Sequence, residues 1–392
     1  MNYRRLGKRL LIPLLVLFGA IAWHTSLPQA TPPALDAAEA DKIRVLNEYY
    51  RVSDLHAKGF TGRGARIAIV AFDTFQRSDI ETFSRQFDLP EPDINVISLF
   101  GGAIHQGVAT DGHKETTLNI DIAHAAAPDA VLDVYSVPPS VPFSILLQAI
   151  MDNGQAQLVT FSWGRAPNMR DDERANEVIE EMRKRGITVF ASTGNNGATA
   201  DNKHLLSPSY LPNVVAVGGT VVARDPASGR AVEYDWPLSV GGWSVKYPLP
   251  LYQAGAAEKL TAEGRKYRML PDIVGPSVVV TATESPNSER SGIPIYVTDP
   301  LTGEGQWDQA TGTSVAAPYV AGIFANIVGG LGRGLGDLHE PLYKLMEQPA
   351  FNRVKAGNHE GVFERGDFYS MATGLGSINA YEMAVALGLI PE

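Results

Sequence analysis

Residues 312–322 read Gly-Thr-Ser-Val-Ala-Ala-Pro-Tyr-Val-Ala-Gly, and this stretch carries the strongest structural and chemical signal in the chain. Its small and apolar side chains predict a helix that packs closely against a sheet. Ser314 stands at the start of that helix, where backbone N–H groups and a partial positive charge can stabilise an oxyanion beside a nucleophile. A serine at this place could also act only as a helix cap, but the whole string favours a nucleophile.

Outward from this helix, the chain alternates short apolar runs with amphipathic segments. Strands are predicted at 65–72, 94–99, 131–137, 158–162, 187–191 and 214–217. Helices are predicted at 79–87, 115–127, 143–153 and 171–185. Strands separated by helices of these lengths indicate an α/β fold with a central, mostly parallel β-sheet flanked by helices. Residues 221–310 are predicted to be long surface loops, because turn clusters interrupt them.

The composition limits the classes of function. The chain has 392 residues, with 33 Lys and Arg against 43 Asp and Glu, a formal net charge of −10. This acidic balance argues against nucleic acid as the main partner, since a phosphate backbone attracts a basic surface. The absence of cysteine from the sequence excludes disulfides, thiolate metal sites and a cysteine nucleophile.

The N-terminal segment is typical of an exported protein. Four basic residues precede an apolar run at 10–23, and Ala20-Ile21-Ala22 offers a small-x-small cleavage site. The run is shorter than the roughly 20 residues that span a bilayer. A signal peptide at 1–22 is therefore favoured over an uncleaved membrane anchor. Residues 23–44, rich in Pro and Ala, are predicted to be a linker, and 45–392 a single globular domain.

Taken in order, the motifs resemble those of the sedolisins, the serine-carboxyl peptidases. The Ser314 string is similar to the nucleophile motif that sedolisins share with subtilisins, and the match runs from about residue 45 to residue 384. The segments that favour sedolisins lie at 71–75, 217–220, 241–244, 270–273 and 373–377. The resemblance implies a subtilisin-like three-layer fold and the hydrolysis of peptide bonds.

The resemblance also implies that Glu115 is the general base toward Ser314. In sedolisins an aspartate at the position of residue 119 shares a proton with this glutamate, but here the residue is asparagine. Residues 115 and 119 are neighbours on one helix face. An amide donor favours the charged carboxylate, so Asn119 is expected to orient Glu115 and to lower its pKa. The alternative for Glu115 is an exposed glutamate at a helix N-terminus.

Asn195 falls where sedolisins carry the aspartic acid that donates to the oxyanion. Subtilisins carry asparagine at the comparable place. A neutral amide donates a hydrogen bond at any pH, so Asn195 is expected to serve as an oxyanion donor that needs no acid. The alternative is a plain Asn-Gly turn.

Two further residues could assist Glu115 or replace it as the general base. Asp73 ends the first predicted strand, near the place of the acid in the subtilisin triad, and could orient Glu115 or share its proton. A turn aspartate at a strand end is an equal alternative. His113 could act as the base in a subtilisin-like scheme, although a lone loop histidine is more often structural.

Two departures from the sedolisin pattern concern the calcium site and the prodomain. Sedolisins bind calcium near the C-terminus through aspartates, one of which falls at Ser370 here, and Asp367 lies three residues earlier. A hard cation needs six or more oxygen ligands, so we expect neither this calcium site nor another cofactor. About forty residues separate the predicted signal peptide from the first strand, which is too few for a sedolisin prodomain.

These features predict a secreted or periplasmic serine-type endopeptidase that acts on peptides or proteins, with a membrane tether if the N-terminal segment stays uncleaved. Its predicted catalytic residues are Ser314, Glu115, Asn119, Asn195 and Asp73. Loops at 168–173 and 245–270 are the expected sources of specificity. The alternative is a catalytically impaired pseudopeptidase that binds peptides or a protein partner, and a third candidate is an acyl-enzyme transferase or self-processing enzyme.

Overall fold

The computed structural model describes residues 34–104, 111–197, 204–225, 227–260, 266–281, 290–355 and 368–391. The predicted signal peptide and the first part of the predicted linker lie outside these ranges. Within them, the chain forms the predicted three-layer α/β structure, with a mostly parallel sheet between two layers of helices.

The middle layer is a ten-stranded sheet. The strands of the described chain are β1 (Arg66–Ala71), β2 (Ile94–Ser98), β3 (Val131–Ser136), β4 (Leu158–Phe161), β5 (Thr188–Ser192), β6 (Val215–Arg224), β7 (Ala231–Asp235), β8 (Gly242–Pro248), β9 (Tyr267–Leu270), β10 (Ile273–Val280), β11 (Ile293–Thr298), β12 (Gly305–Ala310), β13 (Phe351–Asn352) and β14 (Ser377–Ile378). Their order across the sheet is β13-β14-β10-β6-β5-β4-β1-β3-β2, with β7 paired to β6. The pairs from β14 through to β2 are all parallel. Hairpins β8–β9 and β11–β12 stand apart from this sheet.

Helices cover both faces of the sheet. They are α1 (Ala37–Ala40), α2 (Lys42–Tyr49), α3 (Val52–Ala57), α4 (Arg77–Gln86), α5 (Asp111–Ala126), α6 (Phe143–Asn153), α7 (Met169–Lys184), α8 (Ala254–Glu258), α9 (Thr313–Leu331), α10 (His339–Lys344) and α11 (Ala380–Ala386). Strand β1 shows how the two faces are filled, because alternate side chains of a strand point to opposite sides. Ile67 and Ile69 join the core under α5 and α9, whereas Ala68 and Val70 join the core under α6 and α7.

Helix α9 is the buried helix that residues 312–322 predict. Gly312 precedes it with a φ of 119°, and Gly332 ends it in the left-handed conformation with a φ of 65°. The helix is long and apolar enough to cross a membrane, but most of it is buried inside the domain. It packs against the sheet on one side and against α5 on the other.

The prediction of long loops at 221–310 is wrong. This range contains β7 to β12, and β10 is a fully buried strand that pairs in parallel with β6. Gly275 and Pro276 interrupt the apolar pattern of β10, so the sequence pattern alone does not predict this strand. Gly275 is there because a side chain would collide with α9: a Cβ would lie 3.2 Å from the carbonyl oxygen of Ala316.

The second half of the predicted linker is also folded. Helices α1 and α2 begin at Ala37 and Lys42, ahead of the predicted domain boundary at residue 45. The Lys42 side chain is buried and bonds the Glu39 carboxylate at 3.0 Å. Because a buried ammonium needs such partners, these helices belong to the domain and not to a tether.

A buried ion pair holds the start of β10. Arg268 of β9 and Asp272 are both fully buried, and two hydrogen bonds of 2.8 and 2.5 Å join the guanidinium to the carboxylate. Asp272 also accepts the backbone N–H of Ala216 at 2.7 Å. Burial alone would raise the pKa of Asp272, but the charge of Arg268 lowers it to about 2.

We expect Asp272→Ala to lower the free energy of unfolding by about 3–5 kcal/mol, because it leaves the Arg268 charge buried without a partner. Denaturant unfolding of both proteins measures the difference. Glu340→Ala is the matched control, since it removes an exposed pair with Lys344 that should contribute about 0–1 kcal/mol. Equal losses in the two variants would contradict the assignment.

Candidate active site

Ser314 lies in the first turn of α9, and its side chain is 7% exposed. Pro318 has no N–H with which to bond the carbonyl of Ser314 four residues earlier, so that carbonyl lacks its helical donor. The hydroxyl of Ser162, which follows β4, lies 3.3 Å from the Ser314 carbonyl oxygen. The proline of the motif therefore opens a contact between the helix and the end of a neighbouring strand.

Helix α5 brings Glu115 to Ser314. The Ser314 side chain lies close enough to the Glu115 carboxylate to lower the pKa of that carboxyl group. Asn119 donates from Nδ2 to Glu115 Oε1 at 2.9 Å, and its Oδ1 accepts from the Ser162 hydroxyl at 2.5 Å. Hydrogen bonds thus join Ser162 to Asn119 and Asn119 to Glu115, and the Glu115 carboxyl group lies beside Ser314.

Burial raises the pKa of Glu115 to about 7, against the smaller lowering effects of the Asn119 and Ser314 side chains. The sequence suggested a lowered pKa from the Asn119 amide alone. That contribution has the expected sign, but the cost of removing the carboxylate from water is larger. Glu115 is consequently a carboxyl group that titrates near neutral pH.

Asn195 follows β5 and lies beside the start of α9. Its Oδ1 accepts hydrogen bonds from both the backbone N–H and the hydroxyl of Thr313, each at 2.9 Å. Its Nδ2 lies next to Gly312, where a Cβ would approach it to 2.6 Å. The residue is exposed to solvent. Two donors to one end of the amide therefore fix the other end beside the segment that leads into Ser314.

Asp73 lies at the end of β1, against the first turn of α5. Its Oδ1 accepts the backbone N–H of Thr74 at 2.7 Å, and a Cβ on Gly112 would lie 2.7 Å from its Oδ2. Gly112 precedes Glu115 by three residues, so Asp73 faces the same side of α5 one turn away. The nearby charges with the largest effects on the pKa of Glu115 are those of Asp111 and Lys114.

His113 occupies a different face of α5. Two residues along a helix correspond to a rotation of about 200°, which directs His113 away from the side that carries Glu115. Its ring is buried, with Nδ1 3.3 Å from the Thr74 hydroxyl. This geometry favours Glu115 over His113 as the partner of Ser314.

Two residues of this site were not singled out from the sequence. Ser162 bonds both Asn119 and the Ser314 carbonyl, and Thr313 bonds Asn195 while accepting the N–H of Gly194 at 3.0 Å. Pro318 could have indicated that the Ser314 carbonyl needs a donor, since proline four residues later removes its helical partner. Nothing local identifies that donor as Ser162.

The C-terminal turn does not resemble a calcium site in its described residues. The Ser370 hydroxyl bonds the Thr373 hydroxyl at 2.9 Å, and its backbone pairs with Gly374 in both directions. Arg353 lines the same small cavity, of about 70 Å³. The positive charge of Arg353 and a Ser370 hydroxyl that already forms a hydrogen bond are poor surroundings for a hard metal ion. Asp367 lies outside the described residues, and the absence of calcium stays a prediction.

Comparison with known proteins agrees with this arrangement. The model of the subtilase family matches residues 106–334. Kumamolisin of Bacillus sp. (strain MN-32) is 27% identical over 354 residues, covering 82% of this chain and 59% of that protein. Sedolisin of Pseudomonas sp. (strain 101) is 25% identical over 264 residues, covering 60% and 41%. The chain thus spans about half the length of the curated relatives it matches.

The fold is shared with a solved peptidase structure. Pseudomonas sedolisin, a serine-carboxyl proteinase in complex with two molecules of pseudo-iodotyrostatin, superposes with a TM-score of 0.69 at 20% identity. The superposition covers 84% of this chain and 94% of that chain. The predicted resemblance to sedolisins and the subtilisin-like fold are therefore confirmed.

If the Ser370 turn holds no calcium, addition of the chelator EGTA will leave the melting temperature of the protein unchanged, because removal of a stabilising ligand lowers it only where the ligand is bound. Differential scanning calorimetry with EGTA and with added CaCl₂ tests this. A melting temperature that falls with EGTA and returns with calcium would contradict the prediction.

Proposed function

The chain belongs to the subtilase family, with sedolisins among its relatives, and on that premise we propose that it is a secreted serine-type endopeptidase. In this proposal Ser314 is the nucleophile, Glu115 the general base, and Asn195 an oxyanion donor. Asn119 positions the base. The observation that carries the proposal is the proximity of the Ser314 side chain to Glu115, a partly buried glutamate whose pKa is raised to about 7.

The acylation step follows from these contacts. The ionised Glu115 accepts the proton of the Ser314 hydroxyl as Oγ attacks the carbonyl carbon of the substrate. The tetrahedral intermediate carries a negative charge on the former carbonyl oxygen. When it collapses, the protonated Glu115 returns its proton to the leaving amine. Water then repeats the sequence on the ester, with Glu115 again the base.

Two hydrogen-bond donors, the side-chain amide of Asn195 and the backbone N–H of Ser314, are available to stabilise an oxyanion. Thr313 holds Oδ1 of Asn195, which leaves the Nδ2 end of the exposed amide available to a substrate. The N–H groups of Thr313 and Val315 bond Asn195 and Gly312, and the N–H of Ser314 lies between them at the uncapped start of α9. Donors directed at a developing charge typically contribute 10²- to 10³-fold to kcat each.

Asn119 has a positioning role in this proposal. Its amide bonds Glu115 on one side and the Ser162 hydroxyl on the other, so the carboxylate cannot rotate freely away from Ser314. The Asn119 amide does not ionise, so it cannot share a titrating proton with Glu115. Glu115 must therefore lose its own proton before it can act as a base. With Asn195 neutral at every pH, both departures from the sedolisin pattern favour activity at neutral and alkaline pH.

The pseudopeptidase is the second candidate, and it rests on a specific observation. The second carboxylate of the sedolisin site is absent from the sequence at position 119, and with it the proton sharing expected there. The proximity of Glu115 to Ser314 favours the enzyme, because a scaffold that only binds peptides needs neither a glutamate of raised pKa nor its position beside the serine.

The protein is expected to react with a fluorophosphonate serine probe and to cleave peptides with a kcat/KM that rises tenfold per pH unit up to about pH 7 and is constant above it. The reason is that the pKa of Glu115 is raised to about 7 and that Glu115 acts as a base only when it is ionised. A pH series of labelling and of peptide hydrolysis measures both quantities.

Variants separate this mechanism from the pseudopeptidase. Ser314→Ala should abolish labelling, and Glu115→Gln should lower kcat/KM by about 10²- to 10⁴-fold. Glu177→Gln, on an exposed part of α7, is the matched control and should behave as the natural protein does. Absence of labelling and of hydrolysis between pH 3 and pH 10 would refute the peptidase and favour the pseudopeptidase.

Replacement of Asn119 by Asp should move activity to lower pH. Two carboxyl groups at 2.9 Å would share one proton and titrate in two steps, the first of them below 7. The singly protonated pair is the active form, so the pH–rate profile should become bell-shaped, with an acid limb at least about one unit lower. Steady-state kinetics of Asn119→Asp from pH 3 to pH 9 checks this.

The control exchanges the two side chains. Glu115→Gln with Asn119→Asp keeps one carboxylate but moves it a helical turn from Ser314, so it should be as inactive as Glu115→Gln alone. An unchanged profile in Asn119→Asp, together with loss of activity in Asp73→Asn, would instead favour Asp73 as the partner of the base.

A further inference from the structure

Leu206 packs between two glycines, Gly164 and Gly194. A Cβ on Gly164 would lie 2.7 Å from Leu206 Cδ1, and a Cβ on Gly194 would lie 3.3 Å from the same atom. The side chain of Leu206 is thus packed directly on the backbone of both glycines. Any side chain at Gly164 would have to displace it.

Both glycines belong to segments that contact the nucleophile. Gly194 donates its N–H to the hydroxyl of Thr313 at 3.0 Å, and Thr313 directly precedes Ser314. Gly164 lies two residues after Ser162, whose hydroxyl approaches the Ser314 carbonyl. Leu206 therefore lies in the gap between the segment that contacts Thr313 and the segment that contacts the Ser314 carbonyl.

The proposed reaction directs one substrate side chain into this gap. A carbonyl carbon attacked by Ser314, with its oxygen toward Asn195, has its own Cα only about 1.5 Å away. The side chain on that Cα must then project beside Gly194, which directly precedes Asn195. Gly164 and Gly194 have no side chains, so the space between their two segments leaves room for a substrate side chain. The space beyond them is already occupied by Leu206.

Leu206 cannot retreat easily, because the next residue is anchored. Ser207 pairs with Arg165 through two backbone hydrogen bonds of 3.0 and 2.9 Å. Its hydroxyl also donates to the buried Asp172 carboxylate at 2.6 Å. Asp172 in turn accepts from the Tyr210 hydroxyl and from the N–H of Asn168.

Exposure distinguishes Leu206 from its neighbours. Leu205 and Ser207 are both buried, whereas Leu206 is only partly covered. A leucine that served the core alone would be covered like Leu205. Its partial exposure between two glycines is the arrangement expected of an apolar group that faces an open cleft.

We propose that Leu206 sets the specificity of the site by limiting the residue on the acyl side of the cleaved bond to glycine, alanine or serine. Larger side chains at this position collide with Leu206, which its anchored backbone holds in place. The inference rests on the proposed function for the location of the attacked carbonyl, and it deepens that function by naming a class of substrate.

The test compares peptides that differ only in the residue before the cleaved bond, alanine or phenylalanine. The natural protein should prefer alanine by at least about tenfold in kcat/KM, since even one methylene group in an apolar pocket changes specificity by about 10- to 200-fold. Leu206→Ala should reduce or reverse that ratio by at least tenfold. Leu238→Ala, which truncates an exposed leucine, is the matched control and should keep the natural ratio.

A binding measurement separates this inference from the peptidase proposal. Product peptides ending in alanine or phenylalanine are titrated onto Ser314→Ala, with and without Leu206→Ala, and the melting temperature of each variant verifies that it is folded. Tighter binding of the alanine peptide, reversed by Leu206→Ala, supports the inference even if no variant hydrolyses peptides. Equal binding of the two peptides, no binding of either, or cleavage of both by the natural protein at equal rates overturns it.

Discussion

The close approach of helices α5 and α9 determines the geometry of the site, because one helix carries Glu115 and the other Ser314. Gly322 of α9 is in direct contact with α5: a Cβ there would lie 2.5 Å from the Cβ of Ala126 and 3.1 Å from the carbonyl oxygen of Ala123. A side chain at this point would force the helices apart. Because Glu115 and Ser314 lie on these two helices, their proximity depends on this absence of a side chain.

The N-terminal helices support the same pair. Asn47 of α2 accepts the hydroxyl of Tyr319 in α9 at 2.9 Å and donates to the carbonyl oxygen of Ala125 in α5 at 3.2 Å. One amide therefore bridges the helix of the proposed nucleophile and the helix of the proposed base. The segment that composition suggests is a linker continues into a helix that stabilises the arrangement on which the site depends.

Burial controls the chemistry of the proposed base. The removal of water raises the pKa of Glu115 to about 7, although the side chains of Asn119 and Ser314 favour its charged form. The same packing that brings the carboxylate to the serine also makes it a stronger base than a glutamate in water. Position and proton affinity are thus two consequences of one buried location, and replacement of the partner carboxylate by Asn119 does not remove either.

Much of the fold and of the site follows from local patterns in the sequence. Apolar runs at β1 to β5, the small residues of α9, and the residues Ser314, Glu115, Asn119 and Asn195 are all identifiable without coordinates, because strand periodicity and motif spacing are properties of neighbouring residues. Strand β10 is not identifiable in this way. Its Gly275 and Pro276 resemble a loop until α9 is seen to lie against them.

The tertiary structure decided what depends on residues distant in the chain. The hydroxyl that approaches the Ser314 carbonyl belongs to Ser162, 152 positions away, and the side chain packed between Gly164 and Gly194 is that of Leu206. The sign of the net pKa shift of Glu115 was also decided there, since desolvation depends on everything packed around the carboxylate and not on the one amide beside it. The sequence by itself determined which groups are present and in what order. Only packing determined their distances, their exclusion from water and the room left for a substrate, because these arise from segments that meet after folding.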